Sequence, residues 1–307
     1  MPSAIAADDE VRLGVLYAVL AFSAWGFMTI YWKWVAWMPS GQLIAYRVLW
    51  TFVLMLPLLS ALRGWRQLGH ALRQPRVMLV LSLTAALISV NWLTFVWAVT
   101  HAHVVQASLG YFINPLLNVL LGVIVLHERL RPAQWLAVAL AVLGVCWQVW
   151  ALGVVPWIAL LLGGTFAVYG LLRKFTPVSG MVGLGIETML IFPVALLYLL
   201  WVSGRPEAVP LGSHGLGGAV LVMLSGVITA APLLWFANAA QRLRLSTLGF
   251  FQYLAPSLQL MLGVFVYHED FTRQHLISFG LIWIALLVYS IDTVYTVRQN
   301  HRLRTCP

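Results

Sequence analysis

Ser108-Leu109-Gly110-Tyr111-Phe112 is followed by Pro115, Gly122 and the pair His127-Glu128. Starting 139 positions later, Thr247-Leu248-Gly249-Phe250-Phe251 is followed by Pro256, Gly263 and His268-Glu269. A block that recurs at this distance in a chain of 307 residues divides it into two related halves. The match is continuous from Ala98 to Phe112; the second copy then carries two extra residues before its proline. Fainter echoes precede it. Phe22-Ser23-Ala24-Trp25-Gly26 pairs with Phe166-Ala167-Val168-Tyr169-Gly170, and Gly41…Arg47 pairs with Gly180…Glu187.

The halves are strongly apolar. The chain is 62% hydrophobic and 9% charged, with mean hydropathy +0.90. Soluble domains carry about 25% charge, so this composition cannot cover a water-facing surface and places the chain in a bilayer. A spanning helix takes about 20 mostly apolar residues. Ten segments meet or approach that length: 11–32, 40–62, 76–100, 103–126, 132–150, 156–172, 178–202, 215–240, 245–267 and 274–297. Prolines at or near several starts (Pro39, Pro75, Pro132, Pro156, Pro177) lose no helical hydrogen bond there. Only Cys146 and Cys306 are present, which implies no disulfide framework. The acidic Asp8-Asp9-Glu10 stands where a cleaved leader would be basic, so the first helix is expected to be retained.

With ten spans, 14 of the 18 Lys and Arg residues fall on the side of the N-terminus, counting Arg173 and Lys174 among them. Lys33, Arg205 and Arg273 fall on the other side, and Arg47 lies inside a span. This bias puts both termini in the cytoplasm, and it reads the net charge of +9 as an orientation signal rather than a nucleic-acid surface. Five spans per half is an odd number, so the second half starts on the opposite side. The expected architecture is all-α and integral to the membrane. It has a first five-helix repeat over 11–150, a second, inverted one over 156–297, and a basic cytoplasmic tail over 298–307. Inverted repeats in a membrane chain are the pattern of a carrier that alternates access around a midplane site.

At Asn91-Trp92-Leu93, Ala107 to Leu116, Gln134 to Val138 and Arg242 to Tyr253 the chain resembles the EamA (drug/metabolite) transporter superfamily, and within it the RarD-type chloramphenicol-sensitivity proteins. The resemblance covers nearly the whole chain. It implies a carrier of the bacterial inner membrane whose third, fourth, eighth and ninth helices line a central cavity, helped by the first and sixth, with the fifth and tenth peripheral.

Ionisable groups inside spans are costly and usually functional. Arg47 and Glu187 are the two that lie deep in apolar segments, at matching places in the second and seventh spans. They read as a substrate-anchoring arginine and a proton-titrating glutamate, or as a structural pair; whether they meet is left open. Neutral hydrogen-bonding groups on the third, fourth and ninth spans, namely Asn91, Tyr111, Asn114, Gln252 and Tyr253, suit a polar solute without the cost of a buried charge. Gln106, Asn118 and Gln259 belong to the same set. Trp25, Trp97 and Tyr169 are candidates for an aromatic lining. Pro115 and Pro256, each mid-span, are expected to bend the same place in both repeats and, with Gly110 and Gly249, to act as gates.

The His-Glu pairs sit at span ends, where they are expected to stabilise termini rather than hold a metal; neighbouring side chains on a helix point about 100° apart. No cofactor or metal is expected. No Gly-rich phosphate loop followed by Lys-Ser/Thr is present, which argues against ATP drive. A membrane enzyme would need converging acids and histidines that the chain does not supply. The expected partners are a small-molecule solute (amino acid, metabolite or drug-like), protons as a coupling ion, and lipid. Export ranks ahead of import, and a channel or scaffold is the alternative class. Monomer and homodimer stay undecided.

Overall fold

The structure, a computed structural model, describes residues 4–305 apart from 102, 154 and 269–272. The described residues contain helices and no strands: α1 (Ala4–Trp34), α2 (Ser40–Ala61), α3 (Trp65–Leu72), α4 (Pro75–Thr100), α5 (Val104–Ile124), α6 (Pro132–Leu152), α7 (Trp157–Phe175), α8 (Gly180–Ser203), α9 (Gly215–Arg242), α10 (Leu245–Gln252), α11 (Leu254–Phe265) and α12 (Arg273–Thr305). Among the described residues ten helical spans are long and apolar enough to cross a membrane, at the ten expected places. Two details differ from expectation. The connector after the second span contains the short helix α3, which buries Leu68 and Ala71, three residues apart, and exposes Arg66, Gln67 and His70. The last helix runs on to Thr305 through the segment read as a tail.

The ninth span is divided. Tyr253 separates α10 from α11, and its N–H bonds to the Phe250 carbonyl three residues back instead of four. The corresponding α5 passes through Pro115 as one helix. The expected matching bend is therefore replaced by a break in one repeat only. The two extra residues before Pro256 are what the second copy has and the first lacks.

Corresponding helices of the two halves pack against each other in antiparallel pairs. Near the start of α2, Gly41 approaches Tyr198 toward the end of α8, while Leu59 near the end of α2 approaches Gly185 near the start of α8. Pro115 of α5 meets Gly249 of α10, and Gly122, further along α5, meets Ser246, earlier in α10. Gly144 of α6 lies on Ser278 of α12, and Arg131, just before α6, pairs with Asp292. Each of these pairs joins corresponding spans of the two halves and each is antiparallel, the arrangement expected of an inverted duplication. Two further contacts are paired in the same way: α1 on α9 is repeated as α7 on α4, and α1 on α11 as α7 on α5.

Lipid offers no hydrophobic drive between helices, so close backbone approach and hydrogen bonds hold such a bundle. Gly226 is one such place. A Cβ there would sit 2.5 Å from the Trp50 carbonyl carbon, and the Thr51 hydroxyl donates to the Gly226 carbonyl at 3.3 Å. The helices α6 and α12 pack on each other at the periphery, as the resemblance implies.

Candidate solute-binding site

Between the repeats lies a cavity of about 160 Å³. Six spans expected around it contribute: α1 (Trp25, Trp32), α4 (Asn91, Trp92), α5 (Gly110, Tyr111, Asn114), α7 (Phe166), α9 (Thr229, Leu233) and the α10–α11 break (Gln252, Ala255, Gln259). The second span adds Arg47, and the seventh, its counterpart, adds nothing. The prolines shape this lining. A proline cannot bond to the carbonyl four residues before it. For Pro115 that carbonyl belongs to Tyr111, and for Pro256 to Gln252; both residues face the cavity.

Among the described residues Arg47 is the one basic residue in the lining, and no Asp or Glu lines it. Its Nε donates to the Thr229 hydroxyl at 3.0 Å. Its guanidinium stands 4.8 Å from the Trp32 ring centroid and 4.9 Å from that of Trp92. Among the described residues no carboxylate pairs with it. Two indole faces recover roughly 1 kcal/mol each, against a cost of about 3 kcal/mol or more for a lone arginine at such depth. The charge is thus held in place but not neutralised.

The amides form a second feature. Asn91 Nδ2 donates to the Leu162 carbonyl at 2.8 Å and to the Thr165 hydroxyl at 2.9 Å, tying α4 to α7. Asn118 Nδ2 donates to Gln252 Oε1 at 2.7 Å and to Asn114 Oδ1 at 3.3 Å, tying α5 to the α10–α11 break. Gln252 is buried, and its Nε2 is left without a partner. Buried donors are rarely left so.

The other expected residues lie elsewhere. Glu187 and Arg47 each stand seven residues into their helix, but an inverted repeat sends matching positions to opposite ends. At 1.5 Å per residue they are separated by roughly 13 Å along the bundle, and they do not pair. Glu187 instead accepts from Thr84 at 2.6 Å and Tyr169 at 3.3 Å, and its partner charge is Arg173 at 3.7 Å. Arg173, counted above with the loop charges, is in fact 0% exposed at the end of α7 and donates to the Gly180 carbonyl at 3.1 Å. Tyr169 thereby belongs to this cluster and stacks on Phe236, with ring centroids 6.0 Å apart. Tyr253 is buried beside α5, donating to the Phe112 carbonyl at 3.3 Å. Trp97 stacks on His101 and His103 near the end of α4 and borders a separate, lateral groove between α2, α4 and α8. Pro115 and Gly249 touch each other across the repeats, and neither they nor Pro256 line the cavity.

Below the cavity, on the side of the N-terminus, Phe22, Phe166, Phe236 and Tyr169 form an aromatic floor with Trp25 above it, their centroids 5.1–6.1 Å apart. The Glu187–Arg173 cluster lies beneath. On the same face Glu128 accepts from the N–H of Leu245 at 2.6 Å, the N–H of Ser246 at 3.0 Å and the Ser246 hydroxyl at 2.5 Å, so it caps the first turn of α10. The first His-Glu pair thus stabilises a helix terminus, although the terminus belongs to the other repeat. Glu269, its counterpart, lies outside the described residues.

The Protein RarD of Salmonella typhimurium is 45% identical to this chain over 95% of it and 99% of the relative. Residues 12–150, the first repeat, match the EamA-like transporter family. The chain belongs to that family. Other EamA relatives are the Uncharacterized transporter YojE of Bacillus subtilis, 42% identical over 95% of this chain and 98% of its own, and the Chloramphenicol-sensitive protein RarD of Pseudomonas aeruginosa, 29% identical over 86% and 89%. A solved structure titled only as a crystal structure of a protein superposes with a TM-score of 0.70 at 22% identity, covering 91% of this chain and 97% of that one; it shares the fold. This EamA protein is a multi-pass membrane transporter of the drug/metabolite superfamily, in the bacterial inner membrane.

Sequence reasoning missed Trp32 and Thr229 of the cavity lining and Arg173 of the cluster beneath it. Trp32 was not among the expected lining residues, yet Phe22, Trp25, Met28 and Trp32 follow a helical stripe that was legible. Thr229, which holds Arg47, carries no such signal. Arg173 resembled a loop cation because it stands at the end of a span.

Proposed function

We propose that this EamA protein is a secondary carrier that moves a small polar or amphipathic solute by alternating access, with the cavity around Arg47, Asn91, Tyr111, Asn114 and Gln252 as its solute site. The observation that carries this reading is the position of the cavity between the two repeats: rocking one repeat against the other changes access to it without dismantling either. With the termini in the cytoplasm, as the charge bias assigns them, the described state is sealed below by the aromatic floor, the Glu187–Arg173 cluster and the Glu128 cap. We assign export as the direction, on the resemblance to drug and metabolite carriers.

Glu187 is the coupling carboxylate of this scheme. It is the fully buried carboxylate among the described residues, and protonating it would release Arg173 and loosen the lower seal. Single cysteines at Asn91, Asn114 and Gln252, in a protein freed of its own cysteines, should react from one side at a time and be protected by solute. Simultaneous labelling from both faces would mean a channel. Transport by Glu187→Gln with an unchanged pH profile would remove Glu187 from coupling.

A further inference from the structure

The cavity specifies the sign of its solute. Among the described residues its lining holds one cation and no carboxylate. Arg47 uses only Nε on protein, donated to Thr229, while Trp32 and Trp92 cover its ring-like faces. A guanidinium clamped in this way keeps its outer N–H fork as the free edge, the edge that matches a carboxylate bidentately. Gln252 Nε2, buried and without a partner, supplies a second donor from the opposite repeat. The other amides of the lining are neutral and are bonded to protein: Asn91 donates to Leu162 and Thr165, Gln259 donates to the Trp25 carbonyl, and Asn114 accepts from Asn118. The rest of the lining is aromatic or aliphatic, including Trp25, Trp92, Phe95 and Phe166.

We infer that the solute is a compact organic anion, a carboxylate on a flat apolar body, held by Arg47 at its charged end and by the indole and phenyl rings along its length. The volume agrees. About 160 Å³ is close to a cavity that admits a single benzene ring, roughly 150 Å³. Binding would complete the half-solvated arginine and occupy the orphaned amide donor. The inference rests on the cavity being the solute site, and the test separates the two.

The probes are benzoate and its neutral isostere benzamide, titrated calorimetrically into the full chain in lipid nanodiscs at neutral pH, with sodium chloride as the inorganic anion. Benzoate should bind about tenfold or more tightly than benzamide. Arg47→Gln should abolish the preference, and Arg47→Lys should retain it at lower affinity, because the charge remains and the planar fork does not. Equal affinities for the two probes, both lost in Trp92→Ala, would overturn the anion class and leave the cavity as the solute site. Probe binding indifferent to Trp92→Ala would overturn the site itself. Competition by chloride at concentrations similar to benzoate would show an inorganic anion site and overturn the organic one.

Discussion

Replacing Glu187 by leucine should be among the most damaging single changes in this protein, and removing Arg173 as well should repair much of the damage. The geometry sets the size of the effect. Arg173 is 0% exposed and Glu187 1% exposed, with 3.7 Å between Nη1 and Oε1. At an effective dielectric near 20, that distance is worth roughly 4–5 kcal/mol. Arg173 Nε and Nη1 have no hydrogen-bond partner, so the arginine relies on Glu187 for most of its compensation. Glu187→Leu strands a buried guanidinium, a change that costs about 3–5 kcal/mol. Arg173→Met alone strands the carboxylate, which keeps hydrogen bonds from Thr84 and Tyr169 and should suffer less. The double variant removes both charges and should lie well above the Glu187→Leu single, because paired burial of ions is not itself a large source of stability. The assay is equilibrium unfolding of the four proteins in mixed detergent micelles, read as a double-mutant cycle with a coupling of about 3 kcal/mol. Additivity within about 0.5 kcal/mol would refute the pairing and, with it, the role of this cluster as the lower seal.

Gly183→Ala should displace the same arginine, since a Cβ at 183 overlaps the Arg173 guanidinium; lowered thermal stability that is rescued when Arg173 is shortened to methionine checks this. Glu128→Ala leaves three donors at the start of α10 unanswered and should cost about 1–2 kcal/mol, with Glu128→Gln intermediate; unfolding midpoints decide it. Gly249→Ala should push α10 off α5, because its Cβ would come within 2.7 Å of the Pro115 carbonyl, and reduce transport in reconstituted vesicles; unaltered rates would mean that this contact does not move with the gate. Asn91→Leu should lose solute affinity and also weaken the α4–α7 contact it makes through Leu162 and Thr165, so both binding and stability should fall.

Much of the fold was legible because the bilayer imposes one-dimensional rules. Apolar length counts the spans. Trp25, Asn91, Tyr111, Asn114 and Gln252 were legible as well, since polar and aromatic side chains are costly or conspicuous inside spans. Glu187 was legible as a deep carboxylate, but its partner Arg173 was not, because end-of-span position makes a buried arginine look like a loop cation. Tyr253 and Tyr169 met the same polarity criterion as the cavity residues and went to packing positions instead; hydrophobicity carries no information on which face of a helix a neighbour covers.

The sequence by itself determined ten apolar spans and a duplicated block, because each follows from length and self-similarity counted along the chain. Tertiary structure alone decided what the matching pair Arg47 and Glu187 became. Inversion sends equivalent positions to opposite ends of the bundle, so the two charges meet different surroundings. Glu187 found Arg173 and was neutralised in a seal. Arg47 found two indoles and a hydroxyl, neither of which carries charge, and so remains a cation in the cavity.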